Sequence, residues 1–232
     1  MLKIIVMMIL PILSWYTHLI FHELAHLMTA YFFGSIITEV HILKLKLAKE
    51  KNRWHLDWSN ETNSYVQFYP PKATYLNDKK LTVSSLAIYS SGIIVNIISL
   101  AILALCAFNR INTMYVLSFS FGGLLFICFQ FNETFDGWFS DIELINRLLN
   151  KKLKNEMILT LRIVYCYIKG GVDFIDNSNL NKLACSQDKK ILFLAYFFLF
   201  EKSKKDINSE KNQKYQIKLF ELAKSLDLTI DN

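Results

Sequence analysis

The chain has 232 residues, 53% of them hydrophobic and 20% charged, with a formal net charge of +6 and a mean hydropathy of +0.25. This balance is too apolar for an ordinary soluble domain and too charged for a chain held wholly in lipid, so a membrane part and a polar part are expected. The Lys and Arg residues are spread over polar segments without Gly-rich or aromatic-basic repeats, which argues against a nucleic-acid partner.

The first segment, residues 4–33, carries no ionisable groups other than Tyr16, His18, His22, Glu23, His26 and Tyr31. At ~1.5 Å rise per residue a helix of this length exceeds the roughly 30 Å apolar core of a bilayer. It reads as a transmembrane helix with a polar site inside it. Lys3 precedes the apolar run as in a signal peptide, but no small-residue cleavage site ends that run, so the segment is expected to be a retained span. Within it, His22 and His26 are four residues apart, which on a helix projects both imidazoles from one face toward a single ion. Glu23 between them completes an H-E-x-x-H pattern and is placed to take a proton from a water that the metal activates. The bland alternative is a structural histidine pair, but an ionisable group in mid-membrane costs at least ~2.5 kcal/mol and by default marks a functional site.

Residues 36–70 change character. The stretch 40–47 alternates, 54–58 is mixed, and Ser64 to Tyr69 is β-prone before Pro70 and Pro71. Two or three short strands are expected here, forming a small sheet at the membrane surface with a free edge. Further spans follow at 86–108 and 114–131, joined by a short turn that contains Arg110. Between the first two spans lie eight basic residues, namely Lys44, Lys46, Lys49, Lys51, Arg53, Lys72, Lys79 and Lys80. The positive-inside rule therefore puts the strand region and everything after the third span in the cytoplasm. From about residue 142 the chain is charged, with helical periodicity at 156–168 and 214–226 and a short apolar run at 191–200 that suits a buried helix. Cys106 and Cys128 sit in apolar runs, Cys166 and Cys185 in the C-terminal part, and no C-x-x-C pair occurs, so neither a disulfide framework nor a cysteine metal site is expected.

The expected fold is therefore a mainly α membrane protein. It has a three-transmembrane-helix core with a small β-sheet insertion over residues 1–145, and a C-terminal cytoplasmic helical bundle over 146–232. A catalytic zinc takes three protein ligands and leaves one position for water. The third is sought among the carboxylates after the third span, at the depth of the histidines. Asp136 is preferred because Gly137 lets the backbone turn closely beside it, with Asp141 and Glu133 as alternatives. Asp136 could also merely start a turn or cap a helix.

These residues resemble the site-2 protease family of intramembrane zinc metalloproteases. His22-Glu23-Leu24-Ala25-His26 in the first core helix, Gly92 and Asn96 in the second and Asp136-Gly137 after the third carry the likeness over about residues 1–145, in the manner of a compact bacterial member. The chain lacks the family's proline before the Asp-Gly pair and the one often seen after the glycine of the second helix. The resemblance implies Zn2+ held by His22, His26 and Asp136, with Glu23 as general base. It also implies a bacterial plasma-membrane location with the active site facing the cytoplasm. Asn96 would hold the substrate backbone or the developing oxyanion, or else make an interhelical hydrogen bond.

The function expected is hydrolysis of a peptide bond in a membrane-inserted or leader-bearing peptide. The partners would be the lipid bilayer, a membrane-associated peptide or protein substrate that adds as a strand to the sheet edge, and a regulatory partner at the cytoplasmic domain. The alternatives are a catalytically inactive zinc-binding partner in peptide export or immunity, and a metal transporter, to which three spans with one site give little support.

Overall fold

A computed structural model describes residues 2–50, 53–60, 64–109, 112–132, 139–204, 210–226 and 228. The chain divides into two compact units, 1–133 and 134–232.

The first unit holds three helices long and apolar enough to cross a membrane: α1 (Leu2–Phe32), α3 (Asp78–Phe108) and α4 (Thr113–Asn132). Each packs against the other two. The short α2 (Lys72–Tyr75) precedes α3. A four-stranded antiparallel sheet separates α1 from α2, with strands β1 (Ile36–Ile42), β2 (Leu45–Glu50), β3 (Arg53–Trp58) and β4 (Tyr65–Tyr69) in spatial order β3-β2-β1-β4. One strand more is present than the sequence suggests, because the alternating stretch 40–47 is two strands joined by a turn at Leu43 and Lys44. Leu43 has φ +58°, a left-handed conformation usually left to glycine.

Glycines and one serine set how closely the spans approach. Gly34 ends α1 at φ +69° in a Schellman motif, with Ser35 N–H donating to the Ala30 carbonyl at 2.9 Å and Gly34 N–H to that of Tyr31 at 2.9 Å. A Cβ at Gly122 of α4 would strike the backbone of Pro11 in α1, so the bare glycine is what lets the two helices touch there. Pro11 lies inside α1 and has no N–H, which deprives the Met7 carbonyl of its helical donor. Ser118 Oγ of α4 donates to that carbonyl at 2.6 Å and repairs the break. In an apolar surrounding such a repair is close to obligatory.

The second unit is helical, with α5 (Asp141–Leu149), α6 (Lys154–Gly170), α7 (Asn177–Leu183), α8 (Lys189–Ser203) and α9 (Glu210–Ser225). The periodicity at 156–168 and the apolar run at 191–200 fall within α6 and α8, and the periodicity at 214–226 overlaps α9 to within one residue of its end. Its core is Leu144, Leu148, Met157, Leu161, Leu180, Leu183, Ile191 and Ala195, all buried. Ser140 caps α5 by accepting from Glu143 N–H at 3.3 Å, and Asp188 caps α8 by accepting from Lys190 N–H at 2.9 Å. Ion pairs link Glu143, Arg147, Asp188 and Lys190, with Arg147 also lying over the Phe139 ring. Burial lowers the Arg147 pKa, but the hydrogen bonds and charges of Glu143 and Asp188 together outweigh it and leave the group raised. None of the four cysteines is in a disulfide.

Candidate metal centre

The buried stripe of α1 is made of residues one turn apart: Ser14, His18, His22 and His26, each at most 7% exposed. Helical geometry stacks such positions on one side. Here that side faces α3 and α4, while Ile12, Tyr16, Phe21 and Met28 remain exposed. The polar residues of the span are thus turned into the helix cluster and its large apolar ones outward, the arrangement expected of a span with a working interior.

His22 and His26 meet through their Nε2 atoms at 3.0 Å, with the rings nearly perpendicular. Two nitrogens each ~2.0 to 2.1 Å from a tetrahedral zinc stand about 3.3 Å apart, so only a small ring adjustment separates the observed pair from a chelating one. The far nitrogen of each ring is held by α3. His26 Nδ1–H donates to the Ile88 carbonyl at 2.7 Å, which puts the ring's lone pair on Nε2, the atom that faces His22. Ser91 Oγ donates to the same carbonyl at 2.6 Å and lies 3.4 Å from His26 Nδ1. Asn96, 1% exposed, has its Nδ2 3.2 Å from His22 Nδ1. Gly92 lies flat against the same ring, where a Cβ would come within 2.5 Å of His22 Nδ1 and Cε1.

These contacts permit two proton arrangements. In the first, Asn96 Nδ2–H donates to His22 Nδ1, His22 Nε2–H to His26 Nε2, and His26 Nδ1–H to Ile88. That chain closes without a cation and leaves Asn96 Oδ1 buried with no hydrogen-bond partner among the described residues. In the second, a half-turn of the Asn96 amide lets Oδ1 accept from His22 Nδ1–H. Both Nε2 lone pairs then face one point, and the Asn96 NH2 takes the position that its oxygen had. The two imidazole nitrogens facing each other at 3.0 Å are the feature that fits a cation.

Within the first unit, His22 and His26 offer one ion two imidazole nitrogens 3.0 Å apart. Two imidazoles and a carboxylate are a donor set suited to zinc. Asp141 is the alternative carboxylate of the sequence reading and opens α5. The preferred Asp136, and Glu133, lie outside the described residues. Glu23 is 6% exposed on α1. Asn96 lies behind His22, where it orients the ring.

Ile88 and Ser91 were not foreseen as parts of the site. A backbone carbonyl leaves no mark in a sequence, and Ser91 is one of two adjacent serines in a span where either could simply bond its own helix. His18, the remaining imidazole of the span, donates from Nδ1 to the Ser14 carbonyl at 2.9 Å and fits against Gly123.

Comparison with family models, with curated proteins and with solved structures returns no match.

Proposed function

We propose that this chain is an intramembrane zinc-dependent endopeptidase of the site-2 protease kind, acting on a peptide bond in a membrane-inserted or leader-bearing substrate. The observation that carries the reading is the facing pair of His22 and His26 Nε2 atoms at 3.0 Å inside a cluster of membrane-length helices. Glu23 stands in the same turn of α1 and is buried beside them. A metal-binding role alone calls for the imidazoles and an acid. It has no use for a buried glutamate beside them.

When bound, zinc supplies a Lewis acid that brings the pKa of water toward ~7 and polarises the scissile carbonyl. His22 and His26 would hold it, with a third ligand from the carboxylates after the third span, Asp136 in the reading from sequence and Asp141 or Glu133 as its alternatives. Glu23 accepts the proton of the attacking water and passes it to the leaving amine, a transfer that contributes roughly 10²–10⁴-fold. Asn96 and the Ile88 carbonyl keep the two rings in their ligating orientation. The helices shut bulk water away from the acid–base pair, which strengthens its interaction with the developing charge. The active site faces the cytoplasm in this reading, following the basic residues between α1 and α3.

The test is zinc content per chain together with cleavage of membrane-embedded and leader peptides by wild type and Glu23→Gln. Retained zinc with cleavage reduced by about 10²-fold or more is the expected result. Zinc bound equally by both, with no cleavage by either against a substrate verified in cells, would instead make the chain an inactive zinc-binding partner.

A further inference from the structure

The sheet is two-faced. The register pairs Leu45 with Trp58, Leu47 with Leu56 and Lys49 with Trp54 across β2 and β3, and Val40 with Leu47 and Ile42 with Leu45 across β1 and β2. Strand alternation therefore gathers Val40, Ile42, Leu45, Leu47, Trp54, Leu56 and Trp58 on one face. Lys49 is the only charged residue that β2 and β3 place there. The opposite face of these two strands carries Lys46, Glu50, Arg53, His55 and Asp57, so both of their carboxylates lie on that side.

The apolar face has two parts. On β1 and β4 it is covered: Val40 is 9% and Phe68 5% exposed, and the Phe68 ring lies 6.4 Å from that of Tyr89 in α3. On β2 and β3 the same face continues uncovered, with Leu45 at 50%, Trp54 at 46%, Leu56 at 67% and Trp58 at 69%. Tryptophan is the residue most at home where hydrocarbon meets headgroups. The sheet also starts at the right level, because β1 begins just after α1 ends in the exposed aromatics Tyr31 and Phe32.

We propose that the β2–β3 hairpin rests its Trp54, Leu56 and Trp58 face in the interface of the bilayer that α1, α3 and α4 cross, with Lys49 reaching anionic headgroups. The face that packs on α3 runs on sideways past it, and what surrounds a span at that level is lipid. The carboxylates of β2 and β3 are all kept on the face turned away. This inference rests on the spans and not on the proposed protease activity, so either can fail without the other.

The experiment uses the full chain in vesicles of phosphatidylcholine with phosphatidylglycerol. Trp54→Tyr/Trp58→Tyr is compared with wild type, and the difference in emission isolates the two hairpin indoles from Trp15 and Trp138. The expected result is strong quenching of that difference by lipids brominated near the top of the acyl chain, with iodide quenching several-fold weaker than for free tryptophan. Emission quenched freely by iodide and untouched by brominated lipid would overturn the proposal. So would shielding from iodide that disappears when vesicles are diluted to one chain each, which would make a second copy the occupant. As a second measurement on folded protein, Leu56→Lys alone should raise iodide access to the wild-type indoles; unchanged access would also count against it.

Discussion

At the residue scale, the pivot is Asn96. Its amide touches the nitrogen of His22 that faces away from His26, so its effect on the site is to choose which tautomer His22 presents. Asn96→Leu should weaken zinc binding by ~10 to 100-fold, the usual size of a lost partner behind a ligating histidine. Asn96→Asp, whose side chain can only accept, should retain most of the affinity; chelator competition measures both. A role confined to helix packing would instead let Leu, the closer match in shape, outperform Asp. The His22, Glu23 and His26 triplet was legible because helical spacing fixes which side chains share a face whatever surrounds them. The third acid was less legible. Glu133, Asp136 and Asp141 lie within nine residues of one another, and spacing along a chain that leaves a helix does not say which carboxylate returns to the rings. The flexibility that Gly137 lends to Asp136 is a reason of local geometry, whereas which acid completes the site is a matter of tertiary placement, and of the three only Asp141 lies among the described residues.

At the scale of elements, two kinds of device hold the chain, and each has its own test. In the spans, Ser118 restores the hydrogen bond that Pro11 removes. Ser118→Ala leaves a buried carbonyl without a donor and should cost about 1–3 kcal/mol, read as a lower unfolding midpoint in detergent; Ser118→Thr, which keeps the hydroxyl, should recover most of it. In the second unit, Asp176 caps α7, accepting from the Ser178 hydroxyl at 2.6 Å and from its N–H at 3.1 Å. Those bonds, the hydroxyl's first, hold its carboxyl below the usual range. A folded-state pKa below the unfolded one means that the cap's contribution is complete above the unfolded value of ~3.9 and fades as pH falls through the folded value. The stability gap between wild type and Asp176→Ala should therefore be constant near neutrality and close below about pH 4; a gap that persisted in strong acid would point to some other origin. The strands show what pattern can miss. A single strand over residues 40–47 would put Ile42 and Leu45 on opposite faces, whereas the hairpin pairs them on one. That shift of parity was the available signal for the turn, and it was masked because Leu43 and Lys44 are not residues that normally mark one.

At the scale of the whole molecule, composition anticipated both a membrane part and a polar part. The three apolar helices and the small sheet of residues 2–132 answer to the first. The second unit has its own buried core, drawn from every one of its long helices, so residues 139–228 expressed alone should be soluble, helical by circular dichroism and cooperative in thermal unfolding; a chain that stayed unstructured would show that the unit depends on the rest. Periodicity marked α6 and α9 and an apolar run marked α8, but the shorter α5 and α7 left no such signal, nor did the ion pairs, since Glu143 and Lys190 are far apart in sequence. The seam between α1 and α4 also governs how the spans can rearrange. Sliding α4 lengthwise along α1 would pull the Ser118 hydroxyl off the Met7 oxygen and drive the chain beside Gly122 into Pro11, whereas tilting the two helices about that point keeps both contacts. If the chain is the protease proposed above, a peptide substrate would reach the imidazoles by a hinge-like splaying pivoted near the start of α1, and a crosslink across that pivot should leave turnover intact where one at the far end of the seam arrests it.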